Sequence, residues 1–393
     1  MATAIETMAA LLTVAGMVYT LLALSGVRDY VLAVRGAGGR PNFAPGVTLL
    51  KPLKGVDPRL YEGLVSHCRQ VYEGPFELVF GVHREDDPAV KEVARLQAEF
   101  PDVAMRLVLC PEQLGTSGKV SNLVQMLREA AYEYVVINDS DISVAPGYLA
   151  GVIGYFGDER VGMVTAPYLG RTGVGGREKT LWARLEALGI STDFMPGVLT
   201  ARVLEGGIRF GMGSTLAMRK AALMEAGGLE ALVEYLADDY EMGRRIALAG
   251  YKVELCGEIV ETTVPGYGLR DFWDHQTRWA RSTRDSRRLG YMGLGVTYCV
   301  PWGLMTVVAS GGALWSFTLL SLAVLARVTV ALAVGVGVLR DSQVLRDLWL
   351  LPLRDVFGLV FWAWSYAGDT VVWRGERFRL REGRITRVSE SHG

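Results

Sequence analysis

Hydrophobicity divides the chain into three stretches. Met8 to Val27 runs without a charged residue, an ordinary globular mixture extends to about Leu289, and apolar residues dominate from Tyr291 to Trp373. Within the middle stretch, short apolar runs alternate with longer helical patterns. Val47–Leu50, Phe76–Val82, Ala104–Leu109 and Tyr134–Asn138 predict strands, with helices at Pro58–Arg69, Pro88–Phe100 and Lys119–Ala131 between them. That alternation implies an α/β domain with a mostly parallel sheet covered by helices on both faces. Further on, the pattern predicts strands at Val161–Ala166 and Ser214–Met218 and helices at Glu178–Ile190 and through Asp239–Ala249.

A spanning helix needs about 20 apolar residues, and Met8–Val27 supplies them. Met1 to Glu6 lacks the positive start of a signal peptide, and no small-residue cleavage site follows, so a retained anchor over residues 1–28 is expected. Arg28, Arg35 and Arg40 follow it whereas only Glu6 precedes it, which puts a linker (29–46) and a central domain (47–289) in the cytosol. Residues 290–373 then form a second membrane region built from Tyr291–Val308, Ala313–Leu339 and Leu350–Val372. Pro301, Arg327, Arg354, Asp355 and Asp369 interrupt or flank these stretches, so two or three helices are possible. Three would carry the tail (374–393) out of the cytosol, whereas its arginines favour the cytosolic side.

The net charge is −1, which offers no electrostatic attraction for nucleic acid. Cys68, Cys110, Cys256 and Cys299 lack metal-ligand spacing and are expected to be reduced packing residues.

Candidate chemistry sits where the strands end. Asp139-Ser140-Asp141 closes the run Tyr134–Asn138, setting two carboxylates one residue apart at a strand's carboxyl end. Open α/β sheets bind ligands there, and Mg²⁺ is commonly held by one or two carboxylates together with substrate phosphates. Gly115-Thr116-Ser117-Gly118 leads into the preceding helix, whose free N–H groups suit a phosphate, with Lys119 adding charge; a plain loop and capped helix is the alternative. Asp86-Asp87-Pro88 also follows a strand and can accept bonds from a base or sugar, or cap the next helix. Asp238-Asp239-Tyr240-Glu241 enters a helical pattern, where a carboxylate can cap the helix or take a proton as a general base. Arg278, Arg281, Arg284, Arg287 and Arg288 mark one helical face next to the second membrane region, as a positive flank or a headgroup site.

Leu50-Lys51-Pro52-Leu53-Lys54-Gly55-Val56-Asp57-Pro58, Asp86-Asp87-Pro88-Ala89, Asp139-Ser140-Asp141, Ala237-Asp238-Asp239-Tyr240 and the pentad His275-Gln276-Thr277-Arg278-Trp279 together carry a resemblance. The chain resembles the ceramide glucosyltransferases and their bacterial relatives, including the hopanoid-biosynthesis glycosyltransferases, within the family-2 enzymes of GT-A fold. The resemblance implies a multi-pass protein, of a bacterial inner membrane, that moves glucose or N-acetylglucosamine from a UDP-sugar onto a hydroxyl of a membrane lipid with inversion. It implies uridine contacts at Asp86 or Asp87, and diphosphate contacts at Lys119 and Asn122. Asp139 and Asp141 would hold Mg²⁺ or Mn²⁺, and Asp239, beside Asp238, would be the base. Arg278 and Trp279 of the pentad, with His275 and Gln276 beside them, would face the diphosphate and acceptor. The pentad begins with His275 where the wider family has Gln or Arg. Near Thr192-Asp193-Phe194 the histidine of ceramide-type enzymes is missing, which counts against ceramide as the acceptor. A processive polysaccharide synthase and a dead membrane scaffold remain as alternative readings.

Overall fold

The structure is a computed structural model that describes residues 2–37, 43–173 and 179–388. Arg40, the middle of the expected linker, Glu178 at the start of one expected helix, and the end of the tail lie outside the described residues.

Among the described residues, ten strands belong to the middle of the chain: β1 (Val47–Pro52), β2 (Phe76–Val82), β3 (Ala104–Leu109), β4 (Tyr134–Ile137), β5 (Ile142–Ser143), β6 (Val161–Thr165), β7 (Tyr168–Thr172), β8 (Leu216–Arg219), β9 (Lys252–Leu255) and β10 (Val260–Val264). Seven form one sheet in the order β3-β2-β1-β4-β8-β6-β9. β2 and β4 flank β1 in parallel, and β8 alone runs antiparallel to both its neighbours. Side chains alternate between the faces of each strand. Leu50, Val79, Val135 and Ile137 therefore enter one core, while Leu49, Leu78, Phe80 and Val136 enter the other. With both faces buried, these strands read as continuous apolar runs, which is why sequence pattern located them.

The chain winds outward from β1 to β3 and then returns to β4 on the other side of β1. Strand order thus reverses between β1 and β4, and a ligand crevice opens at the carboxyl ends flanking such a reversal. A small sheet, β5-β10-β7, adjoins the carboxyl end of β4, where Thr262 on β10 donates to Asp141.

The first apolar stretch belongs to one helix, Ala2–Ala37, and Ala4–Gly36 within it is long and apolar enough to cross a membrane. Leu314–Val338 is the second such helix among the described residues. Arg288–Thr297 and Cys299–Ala309 would make a third if taken together, but they meet at 52°. Pro301 has no N–H to give the carbonyl four residues back, at Thr297, and the first helix ends there. Arg327, inside the second helix, is not exposed to lipid as a bare charge. Its Nε donates to both Asp355 oxygens at 2.9 and 3.0 Å, and its Nη1 donates to Thr192 O at 2.8 Å.

The third carboxyl-terminal stretch, which the sequence leaves open as a span, is helical over part of its length. Only Leu351–Ser365 is helical, 15 residues, and the chain then enters a strand. Phe361 packs on Trp273 and Phe272 of the helix Leu269–Ser286, at 4.8 and 5.7 Å between ring centroids. Arg284 closes the helix end by donating to the carbonyls of Ser365 and Gly368. The β-branched Thr370-Val371-Val372 suits extended backbone, and β11 (Thr370–Trp373), β12 (Glu376–Arg381) and β13 (Arg384–Arg387) form an antiparallel sheet. The residues expected as a basic tail are thereby folded back. Leu236 N donates to Gly383 O at 3.0 Å and Ile385 N to Glu234 O at 2.8 Å, fastening this sheet to the catalytic domain.

Candidate active site

Asp139 leaves β4 at the strand-order reversal, and the helix Gly118–Arg128 starts opposite it. Ser117 caps that helix by accepting from Val120 N at 3.4 Å, which fixes Lys119 in the first turn. Lys119 Nζ lies 2.8 Å from Asp139 Oδ1 and 3.1 Å from Asp238 Oδ2. The next residue, Asp239, accepts from Gly213 N through Oδ2 and from Tyr240 N through Oδ1, each at 2.7 Å. A Cβ at Gly213 would stand 3.0 Å from Asp139 Oδ2 and 3.3 Å from Asp239 Oδ2, so a side chain here would press both carboxylates back from this backbone. Two acidic motifs that lie about a hundred residues apart in sequence therefore converge on one lysine and one glycine.

Burial, then the charge of Asp238, push the Asp239 carboxyl up to about 6, with Lys119 opposing. Burial also raises Asp238, against Lys119. Asp238 Oδ2 makes no hydrogen bond of good geometry despite its ion pair. Asp141 is pushed up to about 6 by burial and the charge of Asp139, and it accepts from Thr262 Oγ1 on β10. Behind them, the fully buried Lys51 on β1 donates to Asp139 O at 3.1 Å, and burial lowers its ammonium to about 7.

Among the described residues no group of three or more His, Cys, Asp or Glu converges as a metal cage. Asp139 and Asp141 nevertheless fit Mg²⁺ or Mn²⁺. They offer oxygen alone, the hard donor set of these ions, and their number suits a cation whose other ligands come from substrate phosphates and water. The raised Asp141 carboxyl is a buried negative group that such a cation would compensate.

The remaining sequence candidates separate into those that join this centre and those that do not. Asp87 accepts from Gly55 N at 3.0 Å and from Ala89 N at 2.9 Å, so one carboxylate both ties down the loop after β1 and caps the next helix. Asp86 faces solvent, paired with Arg84 at 2.7 Å. Asn122 is buried on the helix that carries Lys119, with its carbonyl 3.6 Å from Cys110 Sγ. The Gly115–Gly118 turn is partly occupied already, since Glu234 accepts from Thr116 N at 3.2 Å and from its hydroxyl.

The pentad lies on the helix Leu269–Ser286 and is anchored by Glu186, a buried residue that the sequence pattern does not single out. Glu186 accepts from His275 Nδ1 at 2.8 Å and from Gln276 Nε2 at 3.1 Å. Burial alone would raise the Glu186 carboxyl, but the charge and bond of His275, with bonds from Tyr267 and Gln276, outweigh it and leave it lowered. His275 thus orients the helix, and its ring lies 4.6 Å from that of Trp279. Burial lowers the Arg278 guanidinium, with Glu186 and Asp139 within electrostatic reach opposing it. A lone glutamate in the apolar run Leu181–Gly189 is the one sequence signal for this anchor. Three of the arginines beyond the pentad are committed to protein: Arg281 donates to Thr370 O, Arg284 to the helix-end carbonyls, and Arg287 pairs with Glu205, while Arg288 is exposed.

Among solved structures, a mannosyltransferase from Pyrobaculum calidifontis in complex with GDP-Man and Mn²⁺ is similar at a TM-score of 0.50 and 20% identity, over 91% of this chain and 98% of that one, a likeness of fold. Ceramide glucosyltransferases 1 and 3 of Caenorhabditis elegans are each 30% identical over 240 residues, 60% of this chain. The match spans about half the length of these relatives, 49% and 50%. The model of glycosyl transferase family 21 matches residues 8–386, nearly the whole sequence, and the chain belongs to that family.

Proposed function

We propose that the protein transfers one glucose or N-acetylglucosamine from a UDP-sugar to a hydroxyl of a membrane lipid, a hopanoid or a ceramide-like acceptor, with inversion. The observation that carries this reading is the convergence of Asp139 and Asp239 on Gly213 at the strand-order reversal, with Lys119 joining Asp139 to Asp238. The reaction needs a charge-compensated diphosphate and one base, and the cleft has groups suited to each.

In this reading the Asp239 carboxylate takes the proton of the acceptor hydroxyl as that oxygen attacks the anomeric carbon. The bond from that carbon to the diphosphate oxygen breaks, and its electron pair leaves with UDP. A base near 6 is ionised at neutral pH yet still basic enough to share a proton in the transition state. Lys119 and Arg278 supply fixed positive charge for the leaving diphosphate, and Asp87 holds the loop that borders the nucleotide. Asp139 and Asp141 would hold Mg²⁺ or Mn²⁺, which when bound neutralises the diphosphate and stabilises it as a leaving group.

The lipid acceptor is supported by the helix bearing Glu186. Past a π-turn at Ile190–Phe194 it continues as Met195–Leu204, where Val198 and Leu199 share a core with Ala23 and Tyr30 of the amino-terminal apolar helix. The same element thus touches the pentad and the candidate span. A multi-pass protein of a bacterial inner membrane, with the cleft on the cytosolic side, follows from this reading. Mass spectrometry of lipids from cells with and without the gene tests it. The expected result is one lipid class heavier by a single hexose or N-acetylhexosamine; a polymer, or unchanged lipids, would overturn it.

A further inference from the structure

The folded-back carboxyl-terminal sheet reaches the cleft at two points. At one end, β13 pairs with Glu234 and Leu236, the segment that leads directly to Asp238 and Asp239, and Gly383 N donates to Asp285 Oδ2 at 2.5 Å. Glu234 in turn holds Thr116, just ahead of Lys119. At the other end, the two-residue turn between β11 and β12, Arg374-Gly375, points across the domain, and Arg374 Nη1 donates to Lys54 O at 3.2 Å. Lys54 precedes Gly55, whose N–H is held by Asp87. The sheet therefore bridges from the loop before the base to the loop after β1, over the cleft.

The residue at the turn is unusual for its backbone. Arg374 and Gly375 have φ of 50° and 82°, and a hairpin turn with both central residues at positive φ favours Asn-Gly, since a long side chain gains nothing there. The other turn of the sheet, Glu382-Gly383, has the same backbone, with φ of 53° and 77°, so what distinguishes Arg374 is its charge and its place beside Lys54. Its guanidinium is exposed, beyond the Lys54 carbonyl forms no ion pair with any carboxylate among the described residues, and lies within electrostatic reach of Arg278. Arg278 also forms no ion pair among the described residues, and the charge of Arg374 adds to the burial that lowers it. Arg278 keeps Glu186 and Asp139 within electrostatic reach, whereas Arg374 has no carboxylate partner among the described residues, and its guanidinium, held at the loop after β1, has donors left for an anion.

We propose that Arg374 is a donor-binding residue, the hairpin turn holding its guanidinium over the cleft so that it and Arg278 grip the diphosphate of the nucleotide-sugar. The proposal rests on the UDP-sugar reading above and adds a part of the chain from beyond the apolar helices to the donor site. In it the folded-back sheet fixes the base-bearing loop and the diphosphate grip relative to each other.

Calorimetric binding of UDP and of uridine, with Mn²⁺, to the full-length purified protein and to Arg374→Asn tests this. Asparagine suits the left-handed turn, so this variant removes the charge while keeping or raising the unfolding temperature. UDP affinity is expected to fall roughly 10- to 100-fold, as loss of one charged hydrogen bond to phosphate implies, while uridine affinity stays unchanged. Arg374→Lys should recover part of the loss. Unchanged UDP affinity in Arg374→Asn, or equal losses for UDP and uridine, would overturn the proposal while leaving the UDP-sugar reading intact. A wild-type protein that binds no UDP would overturn both.

Discussion

Lys119 in the cleft and Arg327 between the apolar helices are both buried cations facing aspartates, and their surroundings differ in completeness. Arg327 gives its donors to both Asp355 oxygens and to the Thr192 carbonyl and hydroxyl, closing a network between two helices and the π-turn. Lys119 draws Asp139 and Asp238 together but leaves Asp238 Oδ2 without a well-aligned hydrogen bond and Asp239 pushed up to about 6. A closed network secures packing, because every buried polar group in it is compensated. A network with unsatisfied carboxylates retains capacity for protons, cations and phosphates. Neither burial of charge nor incompleteness alone marks the active site here, since Arg354 near the Arg327 network also leaves Nε and Nη1 without a hydrogen-bond partner; the cleft is marked by open carboxylates that meet a lysine at the strand-order reversal.

Substitutions on either side should separate the two networks. Asp355→Ala should leave Arg327 buried without its partner and lower stability by about 3–5 kcal/mol, the usual effect of stripping one member from a buried pair. Unfolding of the purified protein in detergent measures this, and the folded fraction should keep its UDP affinity. Little destabilisation would mean that the pair is not structural. In the cleft, Asp139→Ala should scarcely change the unfolding temperature, yet reduce UDP binding in Mn²⁺ by roughly 100-fold, to the level found in a chelator. If Mn²⁺ still strengthened UDP binding in that variant, the metal assignment to this carboxylate would fail.

The same contrast explains what can be read from sequence. Phe76–Val82 and Ala104–Leu109 match β2 and β3 at both ends because a strand bordered by loops shows its limits as a run of apolar residues. The acidic pairs are visible because their position after such runs is local information. Glu186, Gly213, Lys51 and Thr262 are not, since each matters through a partner 26 to 121 residues away or through a neighbouring strand. Leu350–Val372 reads as a membrane span because hydropathy counts apolar residues without direction. Phe361 and its neighbours instead face a helix of the catalytic domain, and Thr370–Val372 is strand. The Gly115–Gly118 turn looks like an open phosphate cradle because nothing local reveals Glu234, whose carboxylate already takes the Thr116 N–H.

The assignment of the base can be decided from the steady-state rate of sugar transfer by wild type and Asp239→Asn at saturating Mn²⁺ and UDP-sugar, which keep Asp141 ionised, followed from about pH 5 to 8 alongside UDP affinity. Because the Asp239 carboxyl is raised to about 6, it is protonated and useless as a base below that pH and ionised above it. The wild-type rate should thus rise about tenfold per pH unit up to about 6 and then level off. Asp239→Asn should be slower by roughly 10²- to 10⁴-fold, lack that acid limb, and bind UDP as tightly as wild type. Near-normal turnover in the variant, or the same acid limb persisting in it, would contradict the role of Asp239 as the base.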